Sequence, residues 1–267
     1  MKKGFTITEL MVAVGLLAAV LSASMVVFTY SIEAQRTAMA TAEIMRTLRS
    51  ITDQLNYDFS GIAESNQAPM ITMFEGSDPN ADSIVFFATG DFQDANGTIR
   101  GNVARVYYGQ AEYPDPLSSN ADVRKTKILT RKQVILAPDQ TGSGTEYESD
   151  SLVEQLIKYR NKDTSVSDWY QRPDVNSSDT STIPMYLAKG VDNFTIMYCH
   201  DYNDIECIDA NGAINWQRTS GETKFFGLYG NKFVSYPKSI KFTFTLYDSK
   251  GILKGGRRFE HIVYIRR

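Results

Sequence analysis

Apolar residues run almost unbroken from Phe5 to Ile32, and Glu9 is the only charge among them. Leu10 to Ile32 alone is 23 residues without Asp, Glu, Lys or Arg. As a helix rising 1.5 Å per residue it is roughly 35 Å long, enough to cross a ~30 Å hydrocarbon layer. The pattern then becomes one-sided. Met45, Leu48, Ile51, Leu55, Phe59 and Ile62 recur at steps of three and four, while Arg36, Glu43, Arg46, Arg49 and Asp53 fall on other faces. The first proline is Pro69, so nothing forces a kink before it. The spacing predicts one helix from Phe5 to about Ser60, roughly 80 Å long. Residues 5–30 are its spanning part, and 31–60 its amphipathic part, with the apolar stripe seating a head.

From Gly61 to Arg267 the pattern changes to short runs of β-branched and aromatic residues between turn signals. Strands are expected at Ser83–Ala88, Val103–Tyr108, Lys127–Leu136, Asp192–Cys199, Ser239–Leu246 and Arg258–Ile265. In the fifth, Ile240, Phe242, Phe244 and Leu246 alternate strictly with Lys241, Thr243 and Thr245, so one face is apolar. Asn96-Gly97 and Asp248–Gly251 are turn signals. Residues 110–125, 139–151 and 161–183 are expected as loops. An antiparallel sheet with one apolar face, packed on one helix face, gives an α+β head over residues 61–267.

The N-terminus carries the sharpest chemistry. Lys2 and Lys3 precede the span and favour a cytoplasmic N-terminus. That puts the head on the far side of the membrane. Glu9 admits three accounts. It can close a capping box, Thr6-x-x-Glu9. The run can be a secretory signal cleaved near Ala23 or Ser24, which the internal charge and the apolar character as far as Tyr30 oppose. Or a partner neutralises the carboxylate, which alone costs about 2.5–3.5 kcal/mol in mid-span and less near the interface.

Gly4-Phe5-Thr6-Ile7-Thr8-Glu9-Leu10-Met11-Val12 resembles the leader junction of type IV pilins and of the pseudopilins of type II secretion. The resemblance implies a four-residue leader (1–4), cut after Gly4 by a prepilin peptidase that then N-methylates Phe5. It also implies that Glu9 pairs with the terminal amine of a neighbouring subunit during assembly. The expected partners are other major and minor pilins or pseudopilins, the inner-membrane assembly platform and membrane lipid. The expected location is a single pass through the inner membrane with a periplasmic head, or the cell surface once the chain joins a pilus.

The order of elements is similar to that of the W-class minor pilins and the J-class minor pseudopilins. It runs from a helix ending in LNYDF through IVFF, VARVYY and ILTRK to VDNFTIMY and YPKSIKFTFTLYD. A K-class tip pseudopilin typically lacks the glutamate that Glu9 supplies. At 267 residues the chain leans towards the larger W-class, which implies a minor pilin that primes or caps a filament. A J-class role in secretion is the alternative. A membrane-anchored binding module, contacting a surface, a secreted substrate or DNA, is a further one.

Composition adds limits. The charged fraction is 22% and the net charge −3, which suits a packed chain and gives no case for a nucleic-acid binder. The charge is uneven: residues 139–222 hold 15 acids and six bases, and residues 238–267 eight bases and two acids. Cys199 and Cys207 are the only cysteines. In an oxidising compartment a disulfide between them contributes about 2.6 kcal/mol on the chain-entropy model. Between and beyond them, Asp201, Asn203, Asp204 and Asp209 offer oxygens that could take calcium. Their spacing lacks the EF-hand ladder, and a turn within a disulfide loop is the simpler account of them. No other cofactor is expected. The chain has no G-x-S-x-G, H-E-x-x-H or phosphate-loop motif, and His200 and His261 are its only histidines. No enzymatic activity is expected.

Overall fold

A computed structural model of the chain describes residues 6–62, 71–74, 81–112, 127–141, 144, 146–161, 168–169, 173, 185–200, 214–218, 223–229 and 232–265. The first element is the predicted long helix, α1 (Ile7–Ser60), with Thr6 as its N-cap. The strands that follow are β1 (Ile71–Phe74), β2 (Ser83–Gln93), β3 (Arg100–Glu112), β4 (Lys127–Leu136) and β5 (Tyr147–Glu148). A short helix α2 (Leu152–Arg160) separates these from β6 (Tyr186–Lys189), β7 (Val191–Cys199), β8 (Gln217–Arg218), β9 (Lys224–Tyr229), β10 (Lys232–Val234), β11 (Ser239–Leu246) and β12 (Arg257–Tyr264). The chain is α+β.

The strands form two sheets rather than the single one expected. The larger runs β10-β9-β1-β2-β3-β4-β5, with β6 also on β4, and the smaller runs β12-β11-β7-β8. Among the described strands every pairing is antiparallel except β4 with β5. The sheets meet where Ala81 bridges Phe194 and the Asp82 amide donates to the Phe194 carbonyl at 2.9 Å. Asp82 is buried there, and its carboxylate accepts from the Ile196 amide (2.8 Å) and from the Arg218 guanidinium (2.8 Å). A buried carboxylate needs such donors, because desolvation is costly without them.

One apolar core joins α1 to both sheets. Ile44, Ile51, Leu55 and Phe59 of α1 pack with Ile84 and Phe86 of β2, Val106 and Tyr108 of β3, and Phe242 and Phe244 of β11. The Phe59 ring lies 4.3 Å from Phe86 and 5.5 Å from Phe242, centroid to centroid. The other face of the larger sheet is covered as well. Val85, Phe87 and Tyr107 form a second cluster with Tyr159 of α2 and with Trp169. This two-sided burial explains the unbroken apolar run in β2, where a half-exposed strand would alternate.

Three local expectations are corrected. Ile44, not Met45, lies on the buried face of α1: Ile44 is 1% exposed and Met45 39%. The stripe therefore runs through Ala40, Ile44, Ile51, Leu55 and Phe59, and the i to i+7 step from Ile44 to Ile51 keeps one face. Residues 139–151 are not all loop, since they hold β5. The stretch 110–125 opens inside a strand, because β3 continues to Glu112. The two predicted turns form as expected, with Gly97 at φ +68° and Gly251 at φ +65°, a region open to glycine.

Candidate functional site

The exposed half of α1 is the feature that demands a function. Leu10, Leu16, Leu21 and Phe28 are each 60–63% exposed, and no residue from Ile7 to Ser31 is buried. An 18-residue window of this helix has a mean hydropathy of 2.5 and meets the length and composition of a membrane span. Its hydroxyls are satisfied internally, as a span requires. Ser22, Ser24 and Thr29 donate to the carbonyls of Ala18, Val20 and Met25, each at 2.8 Å. A bare apolar helix of this size cannot stay exposed to water, since about 25 cal/mol per Å² favours covering it.

Glu9 stands at the start of that span, in the capping box read from the sequence. Its Oε2 accepts from the Thr6 amide at 2.9 Å and from the Thr6 hydroxyl at 2.8 Å, and its own amide faces Thr6 Oγ1 at 3.4 Å. Among the described residues no cation lies in that arrangement. Gly4 and Phe5 are outside the described residues, as are Asp201, Asn203, Asp204, Cys207 and Asp209. Cys199 ends β7 fully buried. Among the described residues no group of three or more His, Cys, Asp or Glu side chains is placed to hold a metal.

At the other end of α1 is a second carboxylate that the sequence reading missed. Asp58 is 1% exposed. Its Oδ2 accepts from Arg131 Nε (2.6 Å) and its Oδ1 from Arg131 Nη2 (2.8 Å) and Gln54 Nε2 (3.2 Å). The Tyr108 hydroxyl also donates to Oδ2. Burial, with the Asp58 charge beside it, holds the Tyr108 phenol protonated well above its ordinary range. Burial alone would lower the Arg131 guanidinium, but the hydrogen bonds and charge of Asp58 outweigh it and raise it. The signal was present: Asp58 follows Leu55 by three and precedes Ile62 by four, which puts it on the buried stripe. Just past it, the Gly61 carbonyl accepts from the Thr89 amide (2.5 Å) and hydroxyl (2.9 Å). A Cβ at position 61 would collide with the Thr89 carbonyl oxygen, so glycine lets β2 close on the helix end.

Further contacts tie α1 to the head along its length. His261 Nε2 meets Asn56 Oδ1 at 2.9 Å. Arg257 Nη2 donates to Thr41 Oγ1 at 3.3 Å, and the Ser249 amide donates to Glu43 Oε1 at 3.1 Å.

A cleft of about 350 Å³ opens elsewhere on the head, between β3, β4 and α2. Arg105 crosses it, paired with Glu148 at 2.7 Å, bonded to Gln155 at 2.8 Å and stacked 4.7 Å from the Trp169 centroid. Asp150 accepts from Gln155 at 2.7 Å and from Lys158. α2 was not foreseen, although Ser151-x-x-Glu154 is a capping box in the sequence and forms one in the structure. These charges neutralise one another around a polar wall, and the arrangement serves to hold α2 on the sheet. Comparison with family models, with curated proteins and with solved structures finds no match.

Proposed function

We propose that this chain is a minor pilin of the W-class type, a single-pass membrane protein that primes or caps a pilus filament. The leader is removed after Gly4 and Phe5 is N-methylated. The head then lies outside the inner membrane, and Glu9 meets the new amine of a neighbouring pilin. The observation that carries this reading is the bare apolar half of α1. It is continuous with a half that is locked into the head, and it begins at a carboxylate that, among the described residues, is bonded only to its own cap. A span alone would need neither the rigid continuation nor the charge. A helix that is drawn from bilayer into a bundle of like helices accounts for both. The J-type role in type II secretion rests on the same features.

Terminal sequencing of the chain from its native membrane tests the processing step. The expected mature end is N-methylated Phe5, and Gly4→Val leaves the four-residue leader attached. An end at Met1, or near Ser24, contradicts the proposal. Deleting the gene then separates the two filament roles: surface pili disappear in the first case, and protein secretion stops in the second.

A further inference from the structure

The β11–β12 hairpin carries a cluster of cations whose position along α1 is fixed by hydrogen bonds to the helix. Its turn reaches the helix at Glu43 through the Ser249 amide and at Thr41 through Arg257. Further along β12, His261 reaches Asn56. The strand therefore climbs the helix away from the span, and the 248–257 turn is its lower end. Thr41 is nine residues beyond Ile32, where the charge-free run stops, which is roughly 13 Å along the axis. Headgroups occupy the first ~5–7 Å beyond the hydrocarbon edge. The gap left is comparable to the Debye length of about 8 Å at physiological salt, and long basic side chains shorten it.

Cations predominate at this end, although Glu260 lies 3.8 Å from Arg258. Lys250, Lys254, Arg257 and Arg258 are all exposed. The only acid within residues 248–258 is Asp248, which is buried and turned inward, accepting from the amides of Ile252 (2.8 Å) and Leu253 (2.9 Å). The adjoining stretch of α1 is balanced, with Glu33 and Glu43 against Arg36 and Arg46. The whole chain carries a net charge of −3, so an anionic bilayer repels it on average. Four cations against Asp248 and Glu260 leave a local excess of two positive charges at the end nearest the span, which opposes that repulsion where it matters.

We infer that the turn of the β11–β12 hairpin docks on anionic phospholipid headgroups of the bilayer that α1 enters, and so sets the head upright and close to the membrane before assembly. The inference rests on the anchoring part of the proposed function. It needs no pilus, only a span.

The test uses the full chain in two kinds of vesicle. One is phosphatidylcholine alone, and in the other phosphatidylglycerol replaces about a third of it. Flotation establishes anchoring, and hydrogen exchange across residues 249–258 reports the contact. Exchange in that segment is expected to slow several-fold in the anionic vesicles only, and to recover in ~1 M salt, where the Debye length is about 3 Å. The combined change Lys250→Glu and Arg257→Glu should remove the difference. Arg100→Glu, on the strand pair that meets α1 at its far end, should leave it intact. Flotation with both vesicles but equal exchange in both overturns the docking and leaves the anchor standing. Slowing that follows protein density rather than phosphatidylglycerol also overturns it, and assigns the turn to the acidic part of a second copy. Failure to float with either vesicle overturns the anchor, and the docking with it.

Discussion

Glu9 and Asp58 lie on one helix, roughly 70 Å apart, and their surroundings differ. Asp58 is enclosed by the head and receives a guanidinium, a phenol and an amide from within the chain. Glu9 lies at the mouth of an exposed apolar segment and, among the described residues, receives only the amide and hydroxyl of Thr6. The first carboxylate is neutralised where the chain folds. The second has hydrogen bonds but, among the described residues, no opposite charge, and the helix beyond it is apolar as far as Ile32. The lower half of α1 is left uncovered by the described head, whereas the upper half is packed against it.

The comparison is tested most forcefully at Arg131. Arg131→Met leaves Asp58 buried without its cation and should cost about 3–5 kcal/mol, measured by urea unfolding of the detergent-solubilised chain. Replacing the set together, as Asp58→Leu, Tyr108→Phe and Arg131→Met, should recover most of that loss. A cost below about 1 kcal/mol for the single change would mean that Asp58 is solvated and that the two carboxylates are not different in kind.

A smaller effect is expected at Cys207. If the head is finished on its own, Cys199 and Cys207 are bonded in the exported protein, and Cys207→Ser costs about 2–3 kcal/mol without changing membrane insertion. Thiol labelling of fresh, unreduced protein checks this, and modification of both cysteines contradicts it. Smaller still is the effect of pH through His261. Partial burial lowers its pKa below the ordinary 6.5, although Asp53 nearby pulls it up. The unfolded chain therefore binds the proton first. The contribution of His261 is whole above about pH 6.5 and is lost as pH falls through the folded value. Unfolding midpoints should drop modestly between pH 7 and 5, and His261→Gln should flatten that slope.

Much of this was legible in the sequence, for reasons that differ by element. β4 and β11 have the limits read from their residues, because in each an apolar pattern is bounded by turn signals. The length of α1 followed from the lack of proline and the steady stripe. Its register was misjudged at Met45 because Ile44 and Met45 are both apolar, and only the seat on the sheets tells them apart. The second sheet face was hidden because α2 is short and amphipathic, with Leu152 and Leu156 inward and Val153 and Ile157 outward. The Asp58–Arg131 pair joins residues 73 apart in sequence, and no local pattern announces such a contact. Glu9 was legible because its context is local: a cap residue three before it and 23 uncharged residues after it.

Glu9 is also where substitution should leave folding unchanged and assembly altered. Glu9→Leu removes a charge that the span does not favour, so insertion should match or exceed that of the unaltered chain. Glu9→Gln keeps a hydrogen-bonding side chain at the cap but has no charge to meet an amine. The most direct measurement is the yield of cross-links between this chain and co-expressed pilins, compared across the unaltered, Gln and Leu forms at equal membrane levels. Both variants are expected to lose most of the cross-linked product, with Gln close to Leu. Equal yields from all three forms, or a Gln form that behaves normally, would confine Glu9 to its bond with Thr6 and contradict the claim that this half of the helix is completed by a neighbour.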